Sequence, residues 1–218
     1  YKERMAVSVL QNALKRGDIK TGDRVVEYTG GSTGTSLAFV SAVLGLKFTA
    51  VFSDAFSKIK QQSMEAFGAK AIVIKSDNGN ITPDLIQNMK NKAYELAKEP
   101  GTFYADQFGS SDVIKGYESL GIEIVNQIDG NVNVLCAAVG TGGALMGTYS
   151  GLVNSGMNPK LIALEPLQSP TLTTGKGGPH KVEGIGLGFD PPFLDKEKLN
   201  DVRAIDQNKA FEMCRLLA

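Results

Sequence analysis

The chain has 218 residues, and its 23 Lys and Arg balance its 23 Asp and Glu, so the formal net charge is zero. It has neither the basic excess that nucleic-acid binding needs nor a block of like charge. No apolar run reaches the roughly 20 residues that span a bilayer. The two cysteines are too few for a disulfide framework, and we expect Cys136, inside an apolar run, to be a buried thiol. A cytoplasmic protein with no nucleic-acid or membrane partner is predicted.

Short apolar runs alternate with longer amphipathic stretches along the chain, in the order strand then helix. The predicted strands are 24–28, 47–53, 69–76, 132–139 and 160–166, and the predicted helices are 35–45, 57–68, 82–99 and 144–156. Thr82 and Pro83 form a helix-start signal, while Gly45 and Gly68 each follow a helix end. This alternation predicts an α/β protein with open, mainly parallel sheets and helices on both faces.

Two lobes are predicted, with residues 1–108 in the first and 109–218 in the second. The Gly- and Ser-containing segment 107–112 is the expected crossing point between them. Residues 167–199 are rich in Gly, Pro, Ser and Thr. Long irregular segments of this kind are more often functional than accidental, so we expect this one to lie near a site.

The first glycine loop, TGGSTG at 29–34, joins a predicted strand to a predicted helix. Its hydroxyls and backbone N–H groups suit a carboxylate or a small phosphate. The alternative is a plain turn in which Ser32 or Thr33 does no more than cap the helix. The loop alone does not decide between the two.

The second glycine loop, at 139–147, also follows a strand and opens a helix. Three glycines within four residues favour close approach of the backbone to a phosphate, although a tight turn is the alternative. A dinucleotide site is a further alternative, because Glu165 ends the next strand where a ribose-binding acid would lie. Leu145 stands where the dinucleotide pattern has glycine, and no lysine completes a Walker A loop.

Taken together, the motifs resemble those of the cysteine synthase branch of the fold type II pyridoxal-phosphate enzymes. The matching segments, in family order over essentially the whole chain, are YKERMA at 1–6, TGGSTG at 29–34, DQFGSSD at 106–112, GTGGA at 140–144 and HKVEGIGLGF at 180–189. Each motif alone is weak, whereas their joint order is specific. The resemblance implies two lobes with pyridoxal 5′-phosphate as the cofactor.

The resemblance also implies a role for each matching residue. Lys2 corresponds to the lysine that forms the internal aldimine and then acts as the base. The cofactor-binding positions are Lys2, Ser32, Gly140, Thr141, Gly142, Gly143 and Ala144. The positions that bind the amino-acid substrate are Thr29, Gly30, Gly31, Thr33, Gln107 and Gly184. In this scheme residues 1–108 are the small mobile lobe, and residues 109–218 are part of the large lobe.

The implied activity is β-replacement on an activated serine, in which O-acetylserine and sulfide give cysteine through an aminoacrylate. A cystathionine β-synthase-like or β-eliminating member is the nearest alternative. A homodimer is also implied. The family pattern further places strands before Lys2 and a Ser-Gly-rich segment after residue 218, so we expect the native chain to be longer.

Three positions depart from the family pattern, and they keep other classes of function open. Gly30 replaces a serine, Ser32 replaces an asparagine that contacts the cofactor ring, and Ala144 replaces a threonine. A binding or regulatory homologue with weakened activity is therefore an alternative, as is a nucleotide-binding oxidoreductase. His180, the single histidine, is expected to be structural, and no metal site is predicted.

Overall fold

The computed structural model describes all residues, Tyr1–Ala218. Its helices are α1 (Lys2–Arg16), α2 (Ser32–Val43), α3 (Lys58–Ala66), α4 (Pro83–Ala97), α5 (Asp112–Gln127), α6 (Gly143–Asn154), α7 (Thr171–Thr174) and α8 (Gln207–Leu217), with a 3-10 turn at Lys196–Lys198. Its strands are β1 (Arg24–Tyr28), β2 (Lys47–Ser53), β3 (Lys70–Ile74), β4 (Thr102–Tyr104), β5 (Val134–Ala138), β6 (Lys160–Pro166) and β7 (Asp201–Ile205). None of the helices combines the length and apolar character that a membrane crossing needs.

The chain forms two compact units, Tyr1–Asp112 and Val113–Ala218. The first contains a four-stranded sheet in the order β3-β2-β1-β4, and the second contains a three-stranded sheet in the order β5-β6-β7. All strand pairs in both sheets are parallel. The predicted α/β class with parallel sheets and flanking helices is confirmed.

One hydrophobic core of the first unit lies between its sheet and helix α4. Val26, Tyr28 and Val51 from the strands meet Leu85 and Met89 of α4 in one buried cluster. Because side chains alternate along a strand, Val25 and Glu27 point to the opposite face of β1. Helix α2 also contacts β1 and β2, and helix α1 packs on α2.

Helix and strand ends follow the local signals in the sequence. The Thr82 hydroxyl accepts a hydrogen bond from the Leu85 N–H at 3.2 Å, with Pro83 at the first helical position. Gly45 and Gly68 adopt positive φ values of 68° and 83° after α2 and α3. Left-handed backbone is accessible to glycine at little cost, which is why these two residues end the helices.

The core of the second unit lies where α6 covers β5 and β6. Leu145 and Met146 of α6 meet Leu161 and Ala163 of β6 in a buried cluster. The prediction that Cys136 is buried was wrong, because it is an exposed free thiol. Strand β5 lies at a sheet edge, and exposed and half-buried residues alternate along it, so an apolar run did not imply cover on both faces.

Candidate active site

The first glycine loop follows β1 directly and is organised by the hydroxyl of Thr29. This oxygen accepts hydrogen bonds from the N–H groups of Gly31 and Gly34, both at 3.0 Å, and the Thr29 residue is buried. Gly31 has a φ of 138°, and a β-carbon there would lie 2.1 Å from Cδ of Lys60. The positive φ favours glycine at this position, and a β-carbon would also force the Lys60 side chain to move, so the loop is a tight turn.

The capping interpretation of Ser32 and Thr33 was wrong. Helix α2 begins at Ser32 and its N-cap is Gly31, so Ser32 and Thr33 lie inside the helix and neither is its N-cap. Its first helical backbone bond runs from the Thr35 N–H to the Gly31 carbonyl. The N–H groups of Ser32, Thr33 and Gly34 in the first turn have no hydrogen-bond acceptor within the helix, and that of Gly34 bonds to Thr29 instead. Ser32 is exposed and Thr33 is buried.

Gln107, which lies 74 positions from Thr33 in sequence, is buried against the same loop. The Thr33 hydroxyl donates to Oε1 of Gln107 at 2.8 Å. The Nε2 group of Gln107 donates to the Tyr28 carbonyl at 3.0 Å. The structure thus brings together the predicted substrate residues of the loop with Gln107, in one hydrogen-bonded cluster at the carboxyl end of β1.

Glu27 connects this cluster to the strand, and the sequence analysis missed it. The Glu27 carboxyl is fully buried and accepts the N–H of Tyr28 and the N–H of Gln107, both at 2.9 Å. Burial raises the pKa of Glu27 to about 8, although the Gln107 N–H opposes that rise. A charged residue inside the apolar strand RVVEY was the available sequence signal.

Lys2 is the first residue of α1 and shares the buried face of that helix. Met5, Ala6 and Val9, which lie three, four and seven positions later, are all buried. Burial lowers the pKa of the Lys2 amine by desolvation, which favours the neutral form. The amine lies 5.2 Å from the centre of the Tyr1 ring.

Helix α1 is fixed at two points within the first unit. Near Lys2, the Ser36 hydroxyl of α2 donates to Glu3 at 2.9 Å. At the far end, Asp112 accepts from Asn12 at 2.9 Å and from Arg16 at 2.7 Å. These contacts determine where α1 places Lys2 relative to α2.

The second glycine loop lies between β5 and α6 and is closely packed. Gly142 has a φ of 86°, and a β-carbon there would lie 2.7 Å from the backbone N of Leu194. A β-carbon on Gly140 would lie 2.6 Å from the carbonyl oxygen of Gly184. Thr141 is buried, and its hydroxyl accepts from the Gly143 N–H at 3.3 Å.

The backbone of Gly184 lies next to Gly140 of this loop. Helix α6 begins at Gly143, so the N–H groups of Gly143 and Ala144 belong to its first turn. A loop of three glycines and Thr141 at a helix N-terminus fits a phosphate. The residues of this loop therefore fit the phosphate group of pyridoxal phosphate.

Glu165 and His180 have structural roles in the second unit. The Glu165 carboxylate is buried and accepts from the N–H groups of Leu172 and Thr173 and from the Thr173 hydroxyl. Both carboxylate oxygens already accept hydrogen bonds from α7, and this structural role argues against binding of a ribose hydroxyl by Glu165. His180 pairs with the Gly186 carbonyl at 2.8 Å and accepts from the Val182 N–H at 3.2 Å.

Comparison with known proteins identifies the family of the chain. The family described as pyridoxal-phosphate dependent enzyme matches residues 1–218. Cysteine synthase of Staphylococcus aureus is 34% identical over 221 residues, which cover 100% of this chain and 69% of that protein. Cysteine synthase B of Campylobacter jejuni is 32% identical over 219 residues, covering 100% of this chain and 71% of that protein.

Solved structures are similar over nearly the whole chain. A cysteine synthase from Entamoeba histolytica has a TM-score of 0.88 at 32% identity, covering 99% of this chain and 62% of that one. A hydrogen sulfide-producing enzyme, crystallised with an α-aminoacrylate intermediate, has a TM-score of 0.88 at 33% identity, covering 98% and 64%. The chain spans about two thirds of the length of these relatives. The resemblance to the cysteine synthase branch is confirmed, and the chain belongs to the pyridoxal-phosphate dependent enzyme family.

Proposed function

We propose that the protein carries out β-replacement on an activated serine, taking O-acetylserine and sulfide to cysteine. The observation that carries the proposal is the hydrogen bond between Thr33 and Gln107, since it joins two separate family motifs into one cluster. The cysteine synthase relatives support the same chemistry. An α-aminoacrylate bound to one solved relative supports elimination of acetate before sulfide adds.

Lys2 is the proposed catalytic residue. Its lowered pKa favours the neutral amine, which is the form that bonds to the cofactor aldehyde. With the cofactor bound, the Lys2 amine would also be the base that takes the α-proton of the substrate. Pyridoxal phosphate, when bound, supplies the electron sink that makes this proton acidic.

The loop at 29–34 is the proposed clamp for the substrate carboxylate. Thr29 already accepts the N–H groups of Gly31 and Gly34, so the N–H groups of Ser32 and Thr33 are left to bind the anion. The helix N-terminus adds a favourable partial charge for a carboxylate. Holding the carboxylate in this way orients the α-proton toward the base.

The departures from the family pattern leave the backbone of both loops in place. A β-carbon on Gly30 would lie 3.1 Å from the Phe56 ring, so this aromatic side chain lies where a serine would extend. Ser32 and Ala144 alter only side chains, and the N–H groups at both positions remain. The proposed cofactor phosphate site is Gly140, Thr141, Gly142, Gly143 and Ala144, and the proposed substrate site is Thr29, Gly30, Gly31, Thr33, Gln107 and Gly184.

We also propose that residues 1–108 act as the mobile lobe that closes on the substrate and that residues 109–218 hold the cofactor. A homodimer and a cytoplasmic location are proposed because both are typical of the enzymes that the chain resembles. Sedimentation of the purified protein tests the dimer. A small amino acid is the proposed substrate.

The test of the function is the visible absorption spectrum of the full-length protein reconstituted with pyridoxal 5′-phosphate. The wild type and the Lys15→Ala variant, which changes an exposed lysine of the same helix, should show the band of a lysine-bound cofactor. Lys2→Ala should lack that band. Addition of O-acetylserine should shift the wild-type band, and sulfide should restore it with release of cysteine.

Each other outcome of this experiment has a defined meaning. A protein that stays colourless after reconstitution would overturn the proposal. A lysine-dependent band that does not respond to O-acetylserine would refute the donor, and it would favour the binding or regulatory alternative. Turnover with serine and homocysteine instead of sulfide would favour a cystathionine β-synthase-like activity.

A further inference from the structure

Glu27 is a fully buried carboxyl group behind the proposed carboxylate clamp, and neither glycine loop contains it. Its Oε1 atom accepts the N–H of Tyr28 and its Oε2 atom accepts the N–H of Gln107, both at 2.9 Å. One side chain therefore joins the end of β1 to the segment that follows β4. Burying such a group is costly unless its hydrogen bonds are made, so these contacts are specific.

The segment that presents Gln107 is itself tightly constrained. Asp106 has a φ of 51°, a left-handed conformation that is uncommon outside glycine. Its carbonyl accepts the N–H groups of Gly109 at 3.1 Å and Ser110 at 2.9 Å. The turn after Asp106 and the Glu27 bond to its neighbour thus fix the backbone from which the Gln107 side chain reaches Thr33.

We propose that Glu27 is a positioning residue that holds Gln107 in the geometry needed to bind the substrate carboxylate, and that it does so in its neutral form. The proposal rests on the proposed function of the loop at 29–34. A neutral side chain at this depth keeps negative charge away from an incoming carboxylate. An ionised one would repel the carboxylate, and full burial of Glu27 leaves little solvent to screen that repulsion.

The electrostatic surroundings of Glu27 support this assignment. Desolvation is the main cause that raises the pKa of Glu27 to about 8, and the charge of Asp106 raises it further. The other titratable groups that interact with it are Tyr28 on β1 and Tyr104 on β4, whose own pKa values are raised by burial. The raised pKa favours the neutral carboxyl near neutral pH, and we expect substrate affinity to fall as pH rises through about 8.

The test compares wild type, Glu27→Gln and the surface control Glu65→Gln, each reconstituted with pyridoxal 5′-phosphate. The probe is L-serine, and its dissociation constant is read from the change in the visible band between pH 7 and pH 9. Glutamine cannot accept both N–H groups, so at pH 7 we expect the dissociation constant to rise about 10-fold, the effect of one lost hydrogen bond. If the visible band of Glu27→Gln without serine matches that of the wild type, the lysine and phosphate sites are intact in the variant.

The pH dependence distinguishes positioning from a general structural role. At each pH, the dissociation constant of Glu27→Gln for serine is divided by that of the wild type. This ratio cancels the titration of the serine amine, which affects both proteins equally. That ratio should shrink between pH 7 and pH 9, because only the wild type gains charge at position 27. A ratio that is constant with pH, or equal to one throughout, would overturn the proposal, whereas loss of the band in the wild type would overturn the proposed function instead.

A second variant keeps the test decisive if Glu27→Gln does not fold. Asp106→Asn removes the neighbouring charge and keeps a residue type that tolerates left-handed backbone. Because Asp106 raises the pKa of Glu27, the fall in serine affinity should move to lower pH in this variant. An unmoved midpoint would show that another group titrates.

Discussion

Gly142→Ala is the sharpest test of the phosphate cradle, because the chain offers a matched control. Gly142 and Gly156 share a φ of 86°, but a β-carbon on Gly156 has nothing within 4 Å. Alanine at either position costs about 1 kcal/mol for the left-handed backbone. Only at Gly142 does the β-carbon also meet backbone, 2.7 Å from the Leu194 nitrogen.

The size of the effect follows from that distance. Relief of the contact requires the gap to open from 2.7 Å to the 3.4 Å of ordinary van der Waals contact, a shift of about 0.7 Å. A displacement of that size breaks a hydrogen bond to a phosphate oxygen, which is worth about 1.5–3 kcal/mol. We therefore expect Gly142→Ala to weaken cofactor binding by about 10- to 100-fold.

The assay is titration of the apoprotein with pyridoxal 5′-phosphate, together with urea unfolding of the same samples. Gly156→Ala should lose about 1 kcal/mol of unfolding free energy and keep its cofactor affinity. Gly142→Ala should lose at least as much stability and also lose affinity. Equal cofactor affinity in the two variants would refute the assignment of residues 140–144 as the phosphate site.

Two further predictions concern the first unit. Thr33→Val removes the hydroxyl that donates to Gln107, so the KM for O-acetylserine should rise about 10-fold with little change in kcat. Thr35→Val is the control, because the Thr35 hydroxyl bonds to the Gly31 carbonyl, and it should change KM less. Equal effects of the two substitutions on KM would contradict the role of Thr33. Asp112→Ala breaks contacts to Asn12 and Arg16 from a buried carboxylate and should cost about 2 kcal/mol of unfolding free energy in urea. Asp18→Ala, which breaks an exposed pair with the same arginine, should cost under about 0.5 kcal/mol, and an equal loss in both would show that burial at Asp112 is unimportant.

The elements that were predicted from sequence are those whose apolar pattern is strong and whose ends carry turn signals. Strands β1, β2 and β6 have the expected bounds, because each is an apolar run next to glycine or charged residues. Strand β4 was missed because it has only three residues, all half-buried. Strand β7 was missed because alternate residues of it are exposed.

Helix α5 was missed for a different reason, which involves its glycines. Gly116 and Gly121 lower the helix propensity of the segment. Gly121 is required by tertiary packing, since a β-carbon there would lie 2.4 Å from the Thr148 carbonyl oxygen of α6. Gly151 on α6 matches it, with the Glu118 carbonyl 2.1 Å from the position of its β-carbon. The backbones of α5 and α6 lie too close together here for any side chain between them. Helix propensity depends on local sequence only, so it does not reflect this contact.

The order of the motifs along the chain determined the family, the cofactor class and the positions of both glycine loops. This information is local, because a lysine, a hydroxyl-rich turn and a glycine cradle each depend on residue type and short spacing. Tertiary structure alone decided that Thr29, not Ser32 or Thr33, organises the first loop and that Glu27 supports Gln107 from 80 positions away. It also decided that Cys136 is exposed, because burial depends on which faces of a sheet are covered. Hydrogen bonds and burial of this kind join distant segments, and they exist only once the strands have paired.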